Sequence, residues 1–146
     1  MRKTVLFLTL AIAAGAAPAQ LPFLRPHQPP APVLQGIDAL RADFSAQASG
    51  TTVYFGSDSV ILGAPAKAML TAQAAWLRRH PEVVVRIEGY GDAGDTRDHA
   101  LAVGARRAEE ARNYLVLLGV PAAQLSTTSW GKELPGLGRA VTVLVR

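Results

Sequence analysis

The alternation of strand-like and helix-like patterns between residues 51 and 146 constrains the fold of this chain most strongly. Four short runs are rich in β-branched residues or alternate apolar with polar residues, which is typical of half-buried strands. Two longer runs repeat apolar residues at helical spacing. The predicted strands are residues 51–55, 83–88, 126–130 and 140–145, and the predicted helices are residues 64–80 and 98–118. This βαβαββ order predicts an α+β domain in which a small mixed four-stranded sheet has two main helices on one face.

The long helix, residues 98–118, follows a glycine-rich loop at residues 89–94. Its expected inner face consists of Leu101, Gly104, Ala108, Ala111, Leu115 and Leu118. Gly104 and Ala108 have little or no side chain, so we expect the helix to approach the sheet closely at this point. Gly119 supplies a stop signal just after the helix.

The first 19 residues have the three parts of a secretory signal peptide. Basic Arg2 and Lys3 precede an apolar run at residues 5–14, and an Ala17-Pro18-Ala19 site follows. The apolar run is shorter than the roughly 20 residues that span a bilayer, so cleavage after Ala19 is favoured over an uncleaved anchor. No later segment is apolar enough to predict a transmembrane helix.

Two further segments precede the domain. Residues 20–33 contain five prolines and predict a semi-rigid polyproline linker, with a ligand for a proline-recognition module as the alternative. Residues 34–49 place Leu34, Ile37, Leu40 and Phe44 at near-helical spacing, which predicts a short amphipathic helix. That helix is expected to pack on its own domain, and docking of a partner is the alternative.

Composition excludes several classes of function. The chain has no cysteine, which excludes disulfides, thiol catalysis, cysteine-bound metals and a lipid-modified cysteine at the mature N-terminus. Its formal charge of +4 falls by two when Arg2 and Lys3 leave with the signal peptide, and no basic cluster indicates a nucleic-acid partner. No Gly-x-Ser-x-Gly elbow or ordered Ser/His/Asp set is present, so we expect neither an enzyme nor a cofactor.

A metal site is the remaining chemical alternative. Asp92, Asp95 and His99 lie close together in sequence at the start of the long helix, and Asp and His suit several divalent ions. Their spacing matches no established metal signature, however, and acidic residues at a helix N-terminus are explained by the helix dipole. The sequence therefore predicts no metal site.

Several motifs together resemble the OmpA-like peptidoglycan-binding domains, in particular those of the Pal lipoproteins. The matching segments are residues 53–59, 73–77, 80–81, 88–92, 104–108, 114–115, 118–120 and 129–135. The resemblance covers roughly residues 39–146, and the domain itself is expected at residues 51–146. It implies the fold predicted above and a location in the periplasm.

The resemblance also implies a function and a set of residues. Members of this family bind peptidoglycan non-covalently by gripping the diaminopimelate of the stem peptide, and link the wall to outer-membrane or Tol-system proteins. By position, Asp92 matches the carboxylate that holds the ligand ammonium, and Arg107 matches the cation that holds its carboxylate. A guanidinium suits this task because it forms a two-pronged bond with a carboxylate. Asp58 matches a second acidic position, Val103 an apolar wall and Thr96 part of the loop.

Structural alternatives accompany these assignments. Asp92 is also suited to cap its own loop, and Arg107 is also spaced for a surface ion pair with Glu110. A domain that keeps the fold but serves protein–protein contact is the alternative function. Its contact surfaces would be Leu134, Leu137 and the predicted helix at residues 34–44.

The pocket region departs from the family pattern at several positions. Gly91 stands where the family usually has threonine, and Asp95 replaces a glycine. His99 and Ala100 replace a tyrosine–asparagine pair. Residues 137–139 replace an asparagine and two arginines. These changes remove neutral hydrogen-bonding groups and add a negative charge, so we expect weaker peptidoglycan binding than in a typical Pal domain.

Overall fold

The computed structural model describes residues 36–133 and 138–146. The predicted signal peptide (residues 1–19), the predicted linker (residues 20–33), Leu34, Leu134 and Leu137 lie outside the described residues. Among the residues that are described, no helix is long and apolar enough to cross a membrane.

The described residues form three α-helices and one four-stranded mixed sheet. The helices are α1 (Ile37–Gln47), α2 (Ala64–Arg79) and α3 (Arg97–Leu117), and a short 3₁₀ turn spans Ala122–Gln124. The strands are β1 (Thr52–Tyr54), β2 (Val85–Tyr90), β3 (Leu125–Gly131) and β4 (Arg139–Leu144). The sheet order is β1-β4-β2-β3, with β2 and β3 parallel and the other two pairs antiparallel. The predicted α+β class and the βαβαββ order are confirmed.

The second strand lies two residues later than the sequence predicted. Val83 is buried but precedes the strand, because its N–H donates to the His80 carbonyl in a turn. Gly89 and Tyr90, which were expected in a loop, pair with Ser129 and Gly131 of β3. Glycine is uncommon inside strands, so the sequence pattern did not indicate that β2 continues through Gly89. This shift matters because β2 delivers Tyr90 to the candidate site.

Helices α2 and α3 pack on the same face of the sheet. Ile87 of β2 lies opposite Thr142 of β4, so both side chains point to one face. The Thr142 hydroxyl donates to Gln73 of α2 at 2.8 Å. Gly89, on the same face as Ile87, touches α3: a Cβ on Gly89 would lie 1.8 Å from the Gly104 carbonyl oxygen. The close approach predicted at Gly104 is confirmed.

The buried face of α3 differs from the prediction at several positions. Leu101 is 48% exposed and Leu118 only partly buried, whereas Ala100, Val103 and Arg107 are buried. The Gly89–Gly104 contact explains this orientation, because it fixes which side of α3 faces the sheet. The helical periodicity of the sequence predicted that the large apolar Leu101, and not the charged Arg107, is buried against the sheet. The buried arginine is the clearest departure of this helix from an ordinary apolar stripe.

Helix α1 packs on its own domain, as expected. Phe44 is fully buried and its ring meets Trp76 of α2 edge-on, with 5.0 Å between ring centroids. The Trp76 indole N–H donates to Asp43 at 2.7 Å. Arg41 donates twice to the main-chain carbonyl of Leu144 at the end of β4. These contacts attach α1 to both α2 and the sheet.

Candidate functional site

The candidate site lies where β2 ends and α3 begins. The loop at residues 91–96 joins these two elements, and the loop at residues 55–63 after β1 lies against it. Asp92 projects from the first loop and Arg107 from the third turn of α3. Arg107 Nη1 lies 3.0 Å from Asp92 Oδ1, so the structure brings together the two residues that the resemblance assigned to ligand binding.

Arg107 is fully buried, and all five of its N–H donors are used within the domain. Nη1 and Nη2 donate to the two Asp92 carboxylate oxygens at 3.0 and 3.3 Å. Nη1 also donates to the main-chain carbonyl of Tyr90 and Nη2 to that of Gly56, while Nε donates to that of Ser59. A guanidinium has only five N–H donors, so its capacity is filled. Arg107 therefore connects α3, β2 and the loop after β1.

The surface ion pair between Arg107 and Glu110, which was the structural alternative, is not what the structure shows, because Arg107 is buried and its ion-pair partner is Asp92. The pKa of the Asp92 carboxyl is lowered, chiefly by the Arg107 hydrogen bonds and, against the effect of burial, also by the backbone N–H of Asp58. Asp92 remains ionised at neutral pH as a result. Its side chain is still 20% exposed, so a ligand cation can reach it.

Asp58 is joined to the pair through its main chain. Its N–H donates to Asp92 Oδ2 at 2.6 Å, so Asp92 bonds the main chain of the neighbouring loop, whereas its structural alternative was to cap its own loop. Asp58 adopts φ of 47°, a left-handed conformation that aspartate tolerates better than most residues. Its own carboxylate points to the exposed rim, where His99 Nε2 lies 2.9 Å away.

His99, on the first turn of α3, is the rim residue that sequence reasoning did not assign to the pocket. Its pKa is raised, first by the hydrogen bond with Asp58 and then by the charge of Asp95. Asp95 Oδ2 lies 3.8 Å from the His99 ring. The sequence did group His99 with Asp95 near the start of the helix, but it grouped them with Asp92. In the structure the third member of that cluster is Asp58 and not Asp92.

Thr96 and Val103 have structural positions beside the pocket. Thr96 is the N-cap of α3, and its hydroxyl accepts from the His99 N–H at 3.3 Å. Val103 lies one turn before Arg107 and is only 5% exposed. Two further side chains flank the site and were not predicted. The Arg139 guanidinium stacks over the Tyr90 ring at 4.7 Å, at the end of β2.

The small residues Gly91 and Ala100 form a tight contact under the loop. A Cβ on Gly91 would lie 2.4 Å from the Ala100 carbonyl oxygen, closer than non-bonded atoms approach. Ala100 is fully buried. The glycine and the alanine that depart from the family pattern thus belong to one packing contact between the loop and α3.

An apolar groove of about 640 Å³ lies apart from Asp92 and Arg107. It runs between the loop before α2 and the last turns of α3, and includes Ile61, Tyr114 and Leu117. Ile61 and Leu117 are 77% and 79% exposed. Besides these side chains it is lined by Lys67 and Glu110, and it contains neither Asp92 nor Arg107.

The fold agrees with comparison to known proteins. The sequence profile of the OmpA family matches residues 54–140. This chain belongs to the OmpA family. The matched range includes Asp58, Asp92, Thr96, Val103 and Arg107.

Several relatives are peptidoglycan-associated lipoproteins. The protein of Rhizobium meliloti is 45% identical over 86 residues, which cover 59% of this chain and 49% of the relative. That of Pseudomonas aeruginosa is 40% identical over 99 residues, covering 68% of this chain and 58% of the relative. The chain therefore spans about half the length of the curated relatives it matches.

Solved structures of other proteins also have a fold similar to that of this chain. The peptidoglycan-associated lipoprotein from Burkholderia pseudomallei aligns with a TM-score of 0.64 and 35% identity, covering 66% of this chain and 92% of that chain. The C-terminal domain of Helicobacter pylori MotB aligns with a TM-score of 0.60 at 18% identity, covering 65% of this chain and 84% of that chain. The MotB similarity shows the fold alone.

Proposed function

We propose that this domain binds peptidoglycan non-covalently in the cell envelope, through the diaminopimelate of a stem peptide. The observation that supports this most directly is the Asp92–Arg107 pair, in which Asp92 is ionised and partly exposed, because the family resemblance assigns both residues to ligand binding. Relatives at 40–45% identity are named peptidoglycan-associated lipoproteins. The proposed role is attachment, and no step of catalysis is involved.

Asp92 would receive the ammonium of diaminopimelate, because its charge is maintained by Arg107 and its side chain reaches solvent. The ligand carboxylate has two sources of positive potential. One is the N-terminus of α3, which favours anions. The other is Arg107, whose donors to Gly56 and Ser59 would have to be released, because all five are occupied. We therefore expect the loop at residues 55–63 to shift when the ligand binds.

The rest of the chain suggests the setting of this function. Residues 1–19 would direct export to the periplasm, and residues 20–33 would act as a spacer in front of α1 and the domain at residues 51–146. The sequence contains no cysteine. The partners at the outer membrane would be outer-membrane or Tol-system proteins.

Co-sedimentation with purified sacculi that contain diaminopimelate tests the proposal. The wild-type chain should sediment with the sacculi, and Asp92→Asn should reduce the bound fraction by at least about tenfold, because a ligand ammonium loses its charged partner. Asp98→Asn, an exposed acid on the first turn of α3, is the matched control and should bind as wild type does. A wild-type chain that stays in the supernatant would contradict the proposal.

A second candidate function is protein–protein contact by a domain that has lost the ligand. The exposed Ile61 and Leu117 in the 640 Å³ groove favour it, because large apolar side chains seldom cluster on a surface without a partner. Helix α1, one of the surfaces first considered, is docked on the domain through Phe44. The sedimentation experiment separates the two functions, since a contact module would not follow the sacculi.

A further inference from the structure

Three side chains at the rim of the pocket place one ligand-type atom each in a single cluster. The carboxylates of Asp58 and Asp95 and the imidazole of His99 have these atoms within 4.8 Å of one another. His99 Nε2 lies 2.9 Å from Asp58 Oδ1 and 3.8 Å from Asp95 Oδ2. Ligand atoms around a tetrahedral zinc ion lie roughly 3.3 Å apart, because Zn–N and Zn–O bonds are about 2.0–2.2 Å long. The two distances from His99 Nε2, 2.9 and 3.8 Å, lie on either side of that value.

A second observation comes from Asp95. Its Oδ2 atom is excluded from solvent, and among the described residues it accepts no hydrogen bond. A buried carboxylate oxygen without a donor is costly, and native structures seldom leave one in that state. This oxygen faces His99, inside the cluster. A cation held between Asp95, His99 and Asp58 would supply the missing partner.

The neighbouring charges outside this cluster have other partners, and the hydrogen bond between His99 Nε2 and Asp58 Oδ1 inside it would be replaced by bonds to the metal. Asp92 is not part of the cluster, because both of its carboxylate oxygens accept from Arg107 and one also accepts from the Asp58 N–H. Lys132, the cation beside Asp95, donates to the Asp95 main-chain carbonyl. The side chains of Asp58 and His99 are 69% and 50% exposed, so they can rotate to adjust the geometry and leave room for water as a further ligand.

We propose that Asp58, Asp95 and His99 form a binding site for a divalent transition-metal ion such as Zn²⁺. One imidazole and two carboxylates suit Zn²⁺, whereas Ca²⁺ and Mg²⁺ prefer oxygen ligands alone. With three protein ligands the site is of the open kind, in which a water completes the coordination.

Calorimetric titration of the full, tag-free, chelator-treated chain with Zn²⁺ alone tests the proposal. We expect one equivalent to bind, and His99→Ala and Asp95→Asn each to weaken binding by at least about tenfold, the loss seen even for outer-sphere partners of a metal. His27→Ala is the matched control, because it removes a histidine outside the described residues. The absence of cysteine means that no thiol competes for the metal.

Urea unfolding of each variant in the absence of metal establishes that it is folded, and the exposed His99 makes this the expected result for His99→Ala. No binding of Zn²⁺ by the wild-type chain would overturn the proposal. So would binding that is lost in His27→Ala but retained in His99→Ala, or tighter binding of Ca²⁺ than of Zn²⁺. Because metal alone is the probe, the outcome does not depend on whether the domain binds peptidoglycan.

Discussion

Arg107 is the residue on which the local structure of the pocket depends most. It is fully buried and its five donors hold Asp92 and three main-chain carbonyls. We expect Arg107→Ala to lower the free energy of unfolding by about 3 kcal/mol, the low end for breaking a buried ion pair, because Asp92 can still reach solvent. Urea denaturation at neutral pH measures this.

Arg106→Ala is the matched control for that experiment, since Arg106 is the exposed neighbour on the same helix. It should change stability by less than about 0.5 kcal/mol. If Arg107→Ala proves as stable as Arg106→Ala, the donor network contributes little to the fold. The sequence placed Leu101, and not Arg107, on the inner face of α3, so it did not predict this contribution to stability.

Gly91 provides a second test at this scale. Gly91→Ala should lower the free energy of unfolding by about 1–3 kcal/mol, because the new methyl group would collide with the Ala100 carbonyl. Gly94→Ala, in the same loop, has open space around its new Cβ and should be neutral. If thermal or urea unfolding shows that the two substitutions change the free energy of unfolding equally, then α3 can move at Ala100 to accommodate the new methyl group at little cost. A threonine at position 91 is therefore not expected to improve the pocket.

Individual roles in the pocket were only partly predictable. The positions of Asp92 and Arg107 followed from the motif, and the structure does pair them. The filling of every Arg107 donor by main-chain carbonyls was not predictable, because those carbonyls belong to loops whose path no side-chain pattern specifies. The Asp58–His99 contact spans 41 residues and joins a loop to the first turn of α3, so it too required the structure.

At the scale of elements, the docking of α1 depends on a buried aromatic pair and one carboxylate. The pKa of Asp43 is lowered below 3.8, chiefly by the hydrogen bond from the Trp76 indole and then by that from Gln47. A carboxyl with a lowered pKa stabilises the folded state above its unfolded pKa and loses this effect as the pH falls through its folded pKa. Asp43→Ala should therefore destabilise the domain at neutral pH, and the difference from wild type should shrink as the pH falls below 3.8.

Urea midpoints measured at neutral and at acidic pH give the comparison. Asp38→Ala serves as its control, because Asp38 lies on the same helix in an exposed pair with Arg41 and should have little effect at either pH. A difference between Asp43→Ala and wild type that stays constant down to the lowest pH would mean that the Asp43 charge does not hold α1 in place.

The boundaries and buried faces of the elements were predicted well where large side chains indicate which positions are buried. They were predicted less well where the buried residue is glycine. Helix α2 ends next to its predicted boundary, since Pro81 follows the cap residue His80. Strand β2 was placed two residues early, because its last residues are Gly89 and Tyr90. The orientation of α3 depends on the contact between Gly89 and Gly104, two residues without side chains, so periodicity gave the wrong large residue on its buried face.

At the scale of the whole molecule, the order of elements and the family motifs were enough to predict the fold. The sheet order β1-β4-β2-β3 places β2 in the interior, with α3 as the crossover to its parallel neighbour β3. This crossover brings the start of α3 beside the end of β2, where parallel α/β units commonly bind ligands. The position of the pocket thus follows from the topology, whereas its chemistry depends on individual side chains, above all Asp92 and Arg107.

The central claim is recognition of diaminopimelate, and calorimetry with two purified muropeptides tests it most directly. One muropeptide contains diaminopimelate, and the other contains lysine, which has the same ammonium but lacks the second carboxylate. We expect the full chain to bind the diaminopimelate form at least about tenfold more tightly, because a charged hydrogen bond contributes roughly 1.5–3 kcal/mol. Equal affinity for the two muropeptides, or no binding of either, would contradict the account.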